Sequence, residues 1–245
     1  MGHAFHGLQP QKEVPTAGEA LCEHLTQATG GIRPSGLQFA SRTDKGVHAL
    51  ESIATCWFRN PFDTQAFLKN IQILRTPGLL SIHARQVAYN VNARGCSRGK
   101  HYRYVIEDNH ELPLQQNNPF AWSIVPKLDV KKMREATQFL IGEHDFQSFR
   151  AAGCSASSSV KHIFRLDVSN PIVFKNGSRQ IQIDFVGDAF LRQMIRLLAG
   201  VLIEVGAGLR KPSDVQTILE AHTRQAAGIT APAHGLMLMQ VMCDY

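Results

Sequence analysis

The run Ser41-Arg42-Thr43-Asp44-Lys45-Gly46-Val47-His48-Ala49 places one carboxylate among cations and next to a glycine. Arg42 and Lys45 flank Asp44, and neighbouring positive charge favours the ionised carboxylate, the form that can act as nucleophile or base. Gly46 permits a tight turn. The residues on either side read as strands, so the side chains of the turn can project into a groove. An ordinary Asp-Lys-Gly hairpin turn uses the same residues. Short motifs also recur by chance, so this run alone does not fix a reaction.

A second group is basic and aromatic. Arg94, Arg98, Lys100, His101 and Arg103 are interleaved with Tyr102 and Tyr104. Aromatic rings among cations suit a surface that grips phosphates and stacks a base. A solvated strand edge is the plain alternative. The whole chain agrees with a polyanionic partner: 26 Lys and Arg stand against 20 acidic residues, giving a net charge of +6.

The five cysteines, Cys22, Cys56, Cys96, Cys154 and Cys243, contain no CxxC pair, and their number is odd. They are expected to be reduced and packed as small apolar residues. His144-Asp145 and the scattered histidines lack ligand spacing, so no metal site is expected.

These residues need a scaffold. Thr16-Ala17-Gly18-Glu19 has capping-box spacing, and Leu21, Leu25 and Ala28 continue a helix that Gly30-Gly31 stop. Strands are expected over Leu37–Ala40 and Ser52–Phe58, with the Asp44 turn between them. Asp63 caps a helix with Phe67, Leu68, Ile71 and Leu74 on one stripe. Leu80, Ile82 and Ala84 alternate like a strand, as do Tyr102, Tyr104 and Ile106. Asp129 opens a helix carrying Val130, Met133, Thr137 and Leu140. Strands follow at Val160–Val168 and Gln180–Val186. The longest helix is expected over Ala189–Val205, a shorter one from Ser213 or Asp214 to His222, and a closing strand over Leu236–Met242. Ser155–Ser159 reads as a loop. The pattern predicts an α+β architecture with two related halves, 1–108 and 109–245, joined through the polar stretch Asn109–Pro119.

With 245 residues, 44% hydrophobic and 19% charged, the chain can bury a real core and is not disordered. No apolar run approaches the roughly 20 residues of a membrane span. The N-terminus lacks the basic and apolar blocks of a signal peptide. A cytoplasmic location is expected.

The Asp44 segment resembles the arginine-threonine-aspartate and glycine-valine-histidine signature of the TruA family of tRNA pseudouridine synthases. Other blocks resemble the family in the same order. They are Lys100-His101-Tyr102-Arg103-Tyr104, Gly142-Glu143-His144-Asp145-Phe146-Gln147-Ser148-Phe149-Arg150, Phe190-Leu191-Arg192-Gln193-Met194-Ile195-Arg196 through Gly200 with Glu204-Val205-Gly206, and Ala233-His234-Gly235-Leu236. The resemblance spans nearly the whole chain. It implies the pseudouridine synthase fold, with two ferredoxin-like (RRM-like) halves sharing an antiparallel sheet around a central active-site cleft. It implies Asp44 as the catalytic aspartate, Arg42 as the arginine paired with it, and Tyr102 as the tyrosine on the flipped uracil. Arg196 falls on the helix arginine that contacts the aspartate, and Leu236 on an apolar residue packed against the base. A homodimer acting on tRNA is implied, with uridines of the anticodon stem-loop as targets. Lys45, where many bacterial members carry alanine, leaves the target uridine open.

Pseudouridine formation breaks the bond from ribose to uracil N1, turns the base and rejoins it through C5. It involves no redox change and no energy input, so no cofactor is expected. The target base must leave its stack, at a cost of a few kcal/mol. Tyr102 and Leu236 would offset that cost, and Arg94, Arg98, Lys100 and Arg103 would hold phosphates. A catalytically inactive RNA-binding protein on the same fold is the alternative, as is an aspartate-nucleophile hydrolase, which would need a second carboxylate and magnesium. Family members usually begin with an apolar strand before a loop like Ala4-Phe5-His6-Gly7-Leu8-Gln9. That first strand is therefore expected to be missing here, with Met1 not the native start or the chain a fragment.

Overall fold

A computed structural model of the chain describes residues 1–108 and 118–244. The expected junction Asn109–Pro119 lies mostly outside them. The chain divides into two compact units, one of Met1–Arg98 with the residues from Val241 onward, the other of Gly99–Gln240. The architecture is mixed α+β with a mostly antiparallel sheet.

In the first unit the Thr16 hydroxyl accepts from the Glu19 amide, opening α1 (Ala17–Ala28) as the capping spacing predicts. Strand β1 (Ser35–Phe39) leads into the Asp44 turn, then come β2 (His48–Ala49) and β3 (Ala54–Trp57). Strands β1 and β3 pair antiparallel. The Asp63 carboxylate caps α2 (Thr64–Ile73), accepting from the Gln65 and Ala66 amides at 2.9 and 3.0 Å. Leu25, Ala28, Phe67 and Ile71 form the core between α1 and α2. Phe58, Phe62 and Phe67 close it with edge-to-face contacts.

Leu80, Ile82 and Ala84 do not form the expected strand. Alternation makes a strand only where a partner supplies a ladder. Among the described residues β1 and β3 pair with each other, and no strand pairs with residues 80–84. Ile82 instead packs on the α1–α2 core, while Leu80 is 75% exposed.

The second unit holds most of β4 (Ser97–Asp108), then β5 (Trp122–Ser123), α3 (Val130–Thr137), β6 (Gly142–Asp145), β7 (Val160–Val168), β8 (Ile172–Val173), β9 (Arg179–Gly187), α4 (Met194–Gly206), α5 (Asp214–Glu220) and most of β10 (Leu236–Cys243). Its sheet runs β10-β4-β9-β7-β6, with β5 parallel beside β4 and β8 antiparallel beside β9. The β4–β9 register sets Tyr102 opposite Phe185, Tyr104 opposite Ile183 and Ile106 opposite Ile181, all on the buried face. Period-two alternation turns His101, Arg103 and Val105 to the other face. Helix α4 is almost wholly buried, and Gly206 at its end lies against Met133 of α3 and Leu128.

Helix α4 starts at Met194, not at Ala189. Gln193 before it has a left-handed backbone, φ 59°, which ends the preceding turn and resets the helix. Among the described residues no helix is long and apolar enough to cross a membrane.

Candidate active site

In the first unit, Asp44 sits half-buried on the turn between β1 and β2, and Arg42 is exposed beside it. The Val47 amide donates to the Asp44 carbonyl at 3.1 Å, and Gly46 supplies the positive φ of 81° that this closure requires. The N-terminal residues brace the turn from outside. The Leu8 amide donates to Thr43 O at 3.2 Å, and a Cβ on Gly7 would stand 2.9 Å from that same oxygen. At the far end the Gly2 amide donates to His48 Nδ1 at 3.1 Å, and the His3 ring meets the His48 ring edge-on. The segment Ala4–Gln9 thus makes a backbone wall along the Asp44 turn. A hollow of about 100 Å³ opens between Arg42 and Arg94, with Leu37 and Phe39 on its wall. Two guanidiniums over an aromatic and an aliphatic side chain suit a phosphate and its attached nucleoside.

In the second unit, Tyr102 of β4 is buried, with its ring edge-on to Phe190 at 5.5 Å and 87°. Leu236 opens β10 and is 5% exposed. Arg196 lies in the first turns of α4, and its Nε donates to Ala231 O at 2.7 Å. Arg196, Gly200 and Glu204 follow at helical spacing on one face of α4, and that face carries the 226–231 segment. A Cβ on Gly200 would meet Ile229 O, Glu204 Oε1 accepts from the Ile229 amide, and the Arg210 guanidinium joins Glu204 to Ala226 O. The segment continues to Pro232, whose carbonyl accepts from the Tyr104 hydroxyl at 2.8 Å. Gly235 lies under the Tyr104 ring, where a Cβ would be 2.8 Å from it. The path from Arg196 to Leu236 is therefore fixed by contacts at almost every step.

Two titrating groups accompany this path. Burial pushes the Tyr104 hydroxyl well up, so it stays a protonated donor. Burial lowers the His234 imidazole, which a hydrogen bond to the Ala121 backbone opposes and the charge of Arg196 reinforces. His234 is thus kept toward its neutral form.

The four cations expected to hold phosphates are placed differently from one another. Arg94 is exposed on the hollow beside Arg42. Arg98 is exposed and pairs with Asp244 at 2.8 Å. Lys100 is half-buried on β4. Arg103 faces away from Tyr102 and grips Asp184, its direct cross-strand partner, through Nε and a terminal nitrogen at 2.9 and 3.1 Å. His101 joins the same carboxylate at 2.6 Å. Burial works to raise the Asp184 carboxyl, but the hydrogen bonds and charges of Arg103 and His101 outweigh it and hold it below its ordinary value. Arg103 thus commits two of its five N–H donors to that carboxylate, which offsets its charge toward a phosphate.

Sequence reasoning assigned no role to Phe190 or Glu204, though both lie in the motif blocks, and it counted Tyr104 with Tyr102 as a stacking surface, whereas the Tyr104 ring is fully buried with its hydroxyl on Pro232 O. The readable signal was Arg196, Gly200 and Glu204 at i, i+4, i+8 on an otherwise apolar helix.

The comparisons with known proteins agree among themselves. A profile of the family described as tRNA pseudouridine synthase matches residues 136–244. The tRNA pseudouridine synthase A of Geobacter sp. (strain M21) is 36% identical over 242 residues, covering 98% of this chain and 94% of that protein. The protein of the same name from Syntrophotalea carbinolica is 33% identical, covering 98% and 92%. That of Coxiella burnetii (strain Dugway 5J108-111) is 34% identical, covering 98% and 88%.

Proposed function

The chain belongs to the tRNA pseudouridine synthase A family, and from that premise we propose that Asp44 is the carboxylate through which it isomerises uridine to pseudouridine in tRNA. Similarity over 98% of the chain to proteins of that name carries the function. The ordered turn that presents Asp44 beside Arg42 supports the residue assignment.

The chemistry divides among residues that the motif blocks carry. Asp44 attacks the sugar or base, or removes the C2′ proton; a carboxylate serves either route. Arg42, two residues before it on the same turn, brings a guanidinium to the reacting carboxylate. Tyr102, backed by Phe190, offers a ring to the displaced uracil, and Leu236 an apolar surface. Arg196 is held by Ala231 through Nε, and the fork of its guanidinium suits a carboxylate. The motif matches support a role in the reaction for each of these five residues. Rejoining at C5 sends the C5 proton to water while N1 gains one, so atoms balance without a cofactor.

Arg42 and Arg94 hold the RNA backbone near the reacting nucleotide, with Arg98 and Lys100 extending the contact. The finer reading has two ferredoxin-like halves, a homodimer on one tRNA, targets in the anticodon stem-loop and a cytoplasmic setting. Motif resemblance supports each of these. The deciding assay is tritium release from tRNA transcribed with C5-labelled uridine, because only a pseudouridine synthase frees that label. Release from wild-type protein that vanishes on Asp44→Asn is expected. Tight tRNA binding without release would make the protein an RNA-binding module instead.

A further inference from the structure

Two thiols far apart in sequence meet in the first unit. Cys96 Sγ lies 2.7 Å from Cys243 Sγ, across 147 residues of chain. A disulfide bond is about 2.05 Å, and two unbonded sulfurs normally stay much farther apart than these. Both side chains are partly exposed, so a small oxidant can reach them. The two chain segments are also tied beside the sulfurs. The Asp244 amide donates to Cys96 O at 3.3 Å, and the Asp244 carboxylate takes the Arg98 guanidinium at 2.8 Å. On the other side Cys96 Sγ is 3.3 Å from Ala93 O, and Ala93 is fully buried with its amide on Thr55 Oγ1. Closing to bonding distance needs a shift of less than about 1 Å. Cys22, Cys56 and Cys154 have no sulfur partner of this kind among the described residues.

We infer that Cys96 and Cys243 are a reversible oxidation site, forming an intramolecular disulfide when the protein meets a peroxide. The electrons balance in two steps. One thiolate attacks hydrogen peroxide, giving a sulfenic acid and hydroxide. The second thiol then attacks that sulfur, forming the S–S bond and releasing water. Two sulfurs each give one electron, and the two peroxide oxygens take one each. A dithiol reverses the reaction by exchange. The Arg98–Asp244 pair also joins these segments, but it is 71% and 74% exposed and so weak. The bond adds a covalent tie beside Arg94 and Arg98, and closes a long loop in the unfolded chain.

The full chain is treated with hydrogen peroxide, its remaining thiols are capped with N-ethylmaleimide, and its peptides are analysed by mass spectrometry without reduction. The Cys96 and Cys243 peptides are expected joined within one molecule, and freed by dithiothreitol. In Cys96→Ser or Cys243→Ser the remaining thiol should stop at the sulfenic acid and be trapped by dimedone. The urea midpoint of the wild type should rise on oxidation and return on reduction. Recovery of both residues as maleimide adducts, a link between two molecules, or an unchanged midpoint would overturn the inference. Tritium release from tRNA is a separate readout and tests the enzymatic assignment independently.

Discussion

Gly200 on α4 and Ile229 lie so close that a Cβ on the glycine would stand 2.4 Å from the Ile229 carbonyl oxygen. No real Cβ contact is that short, so the segment carrying Ile229 would have to move. Gly200→Ala gains about 1 kcal/mol of helix propensity but loses about 1–3 kcal/mol to overpacking. The clash with backbone should win. We expect a lower urea midpoint and slower tritium release, because Arg196 holds the same segment one turn away through Ala231. A variant equal to wild type in both would show that the 226–231 segment yields freely.

Asp44→Asn keeps the size and the turn but cannot serve as nucleophile or base. Turnover should fall to background while tRNA affinity, measured by filter binding, stays at the wild-type level. More than trace tritium release at saturating tRNA would remove Asp44 from the reaction.

Tyr102→Phe keeps the edge-on contact with Phe190 and removes only the hydroxyl. If that hydroxyl moves a proton, kcat should drop by about 10²–10⁴. Tyr102→Ala should also raise KM, since the displaced base loses its ring. Wild-type kcat in the phenylalanine variant would leave Tyr102 a stacking surface alone.

The cations separate in the same way. Arg94→Glu should weaken tRNA binding and flatten its dependence on log salt, by about 0.9 in slope for each duplex phosphate the protein no longer neutralises. Arg103→Gln should change the slope less, because the Asp184 carboxylate already offsets its charge. Its effect should appear in stability against pH. The folded Asp184 carboxyl is lowered, so its ion pair stabilises above the ordinary carboxylate value and is lost as pH falls through the lowered one. Arg103→Gln should shrink that acid-side loss. A slope flattened as much as in Arg94→Glu would mean that Arg103 neutralises a phosphate despite Asp184.

Much of the fold is legible in the residues themselves. The caps at Thr16, Asp63 and Asp129 announce three helices through side chains that compete locally for the first amides. The alternation of Tyr102, Tyr104 and Ile106 announces the central strand. Local signals fail where structure depends on distant partners. Leu80–Ala84 alternates but has no ladder among the described residues. The turn before Met194 carries apolar residues, so hydrophobicity alone extends the helix through it. For the site, Asp44 and its turn are readable. The brace from Gly2, Gly7 and Leu8 is not, because backbone contacts leave little trace in side-chain pattern. Cys96 and Cys243 are invisible as a pair for the same reason: their nearness is created by the path of the chain across 147 residues.

The same β4–β9 ladder that pairs Arg103 with Asp184 pairs Asp108 with Arg179 at its far end, on the buried face. The Asp108 side chain is fully buried, and Arg179 donates to it through Nε at 2.9 Å and through a second nitrogen. Arg179 also donates to Leu128 O at 2.9 Å, and Asp108 Oδ2 accepts from the Leu128 amide at 2.7 Å. One ion pair thus ties two strands to the chain entering α3. Breaking it from one side leaves a buried carboxylate with, among the described residues, only the Leu128 amide, so Arg179→Met should cost about 3–5 kcal/mol. Replacing both residues, Asp108→Leu with Arg179→Met, removes the stranded charge and should recover part of that. It cannot recover all, because the Leu128 amide and carbonyl each lose a partner at about 1–3 kcal/mol. Urea unfolding of the four proteins in a double-mutant cycle reads these values directly. If Arg179→Met costs no more than the ~1 kcal/mol of an exposed pair, water reaches Asp108 in solution and the ladder's end is open.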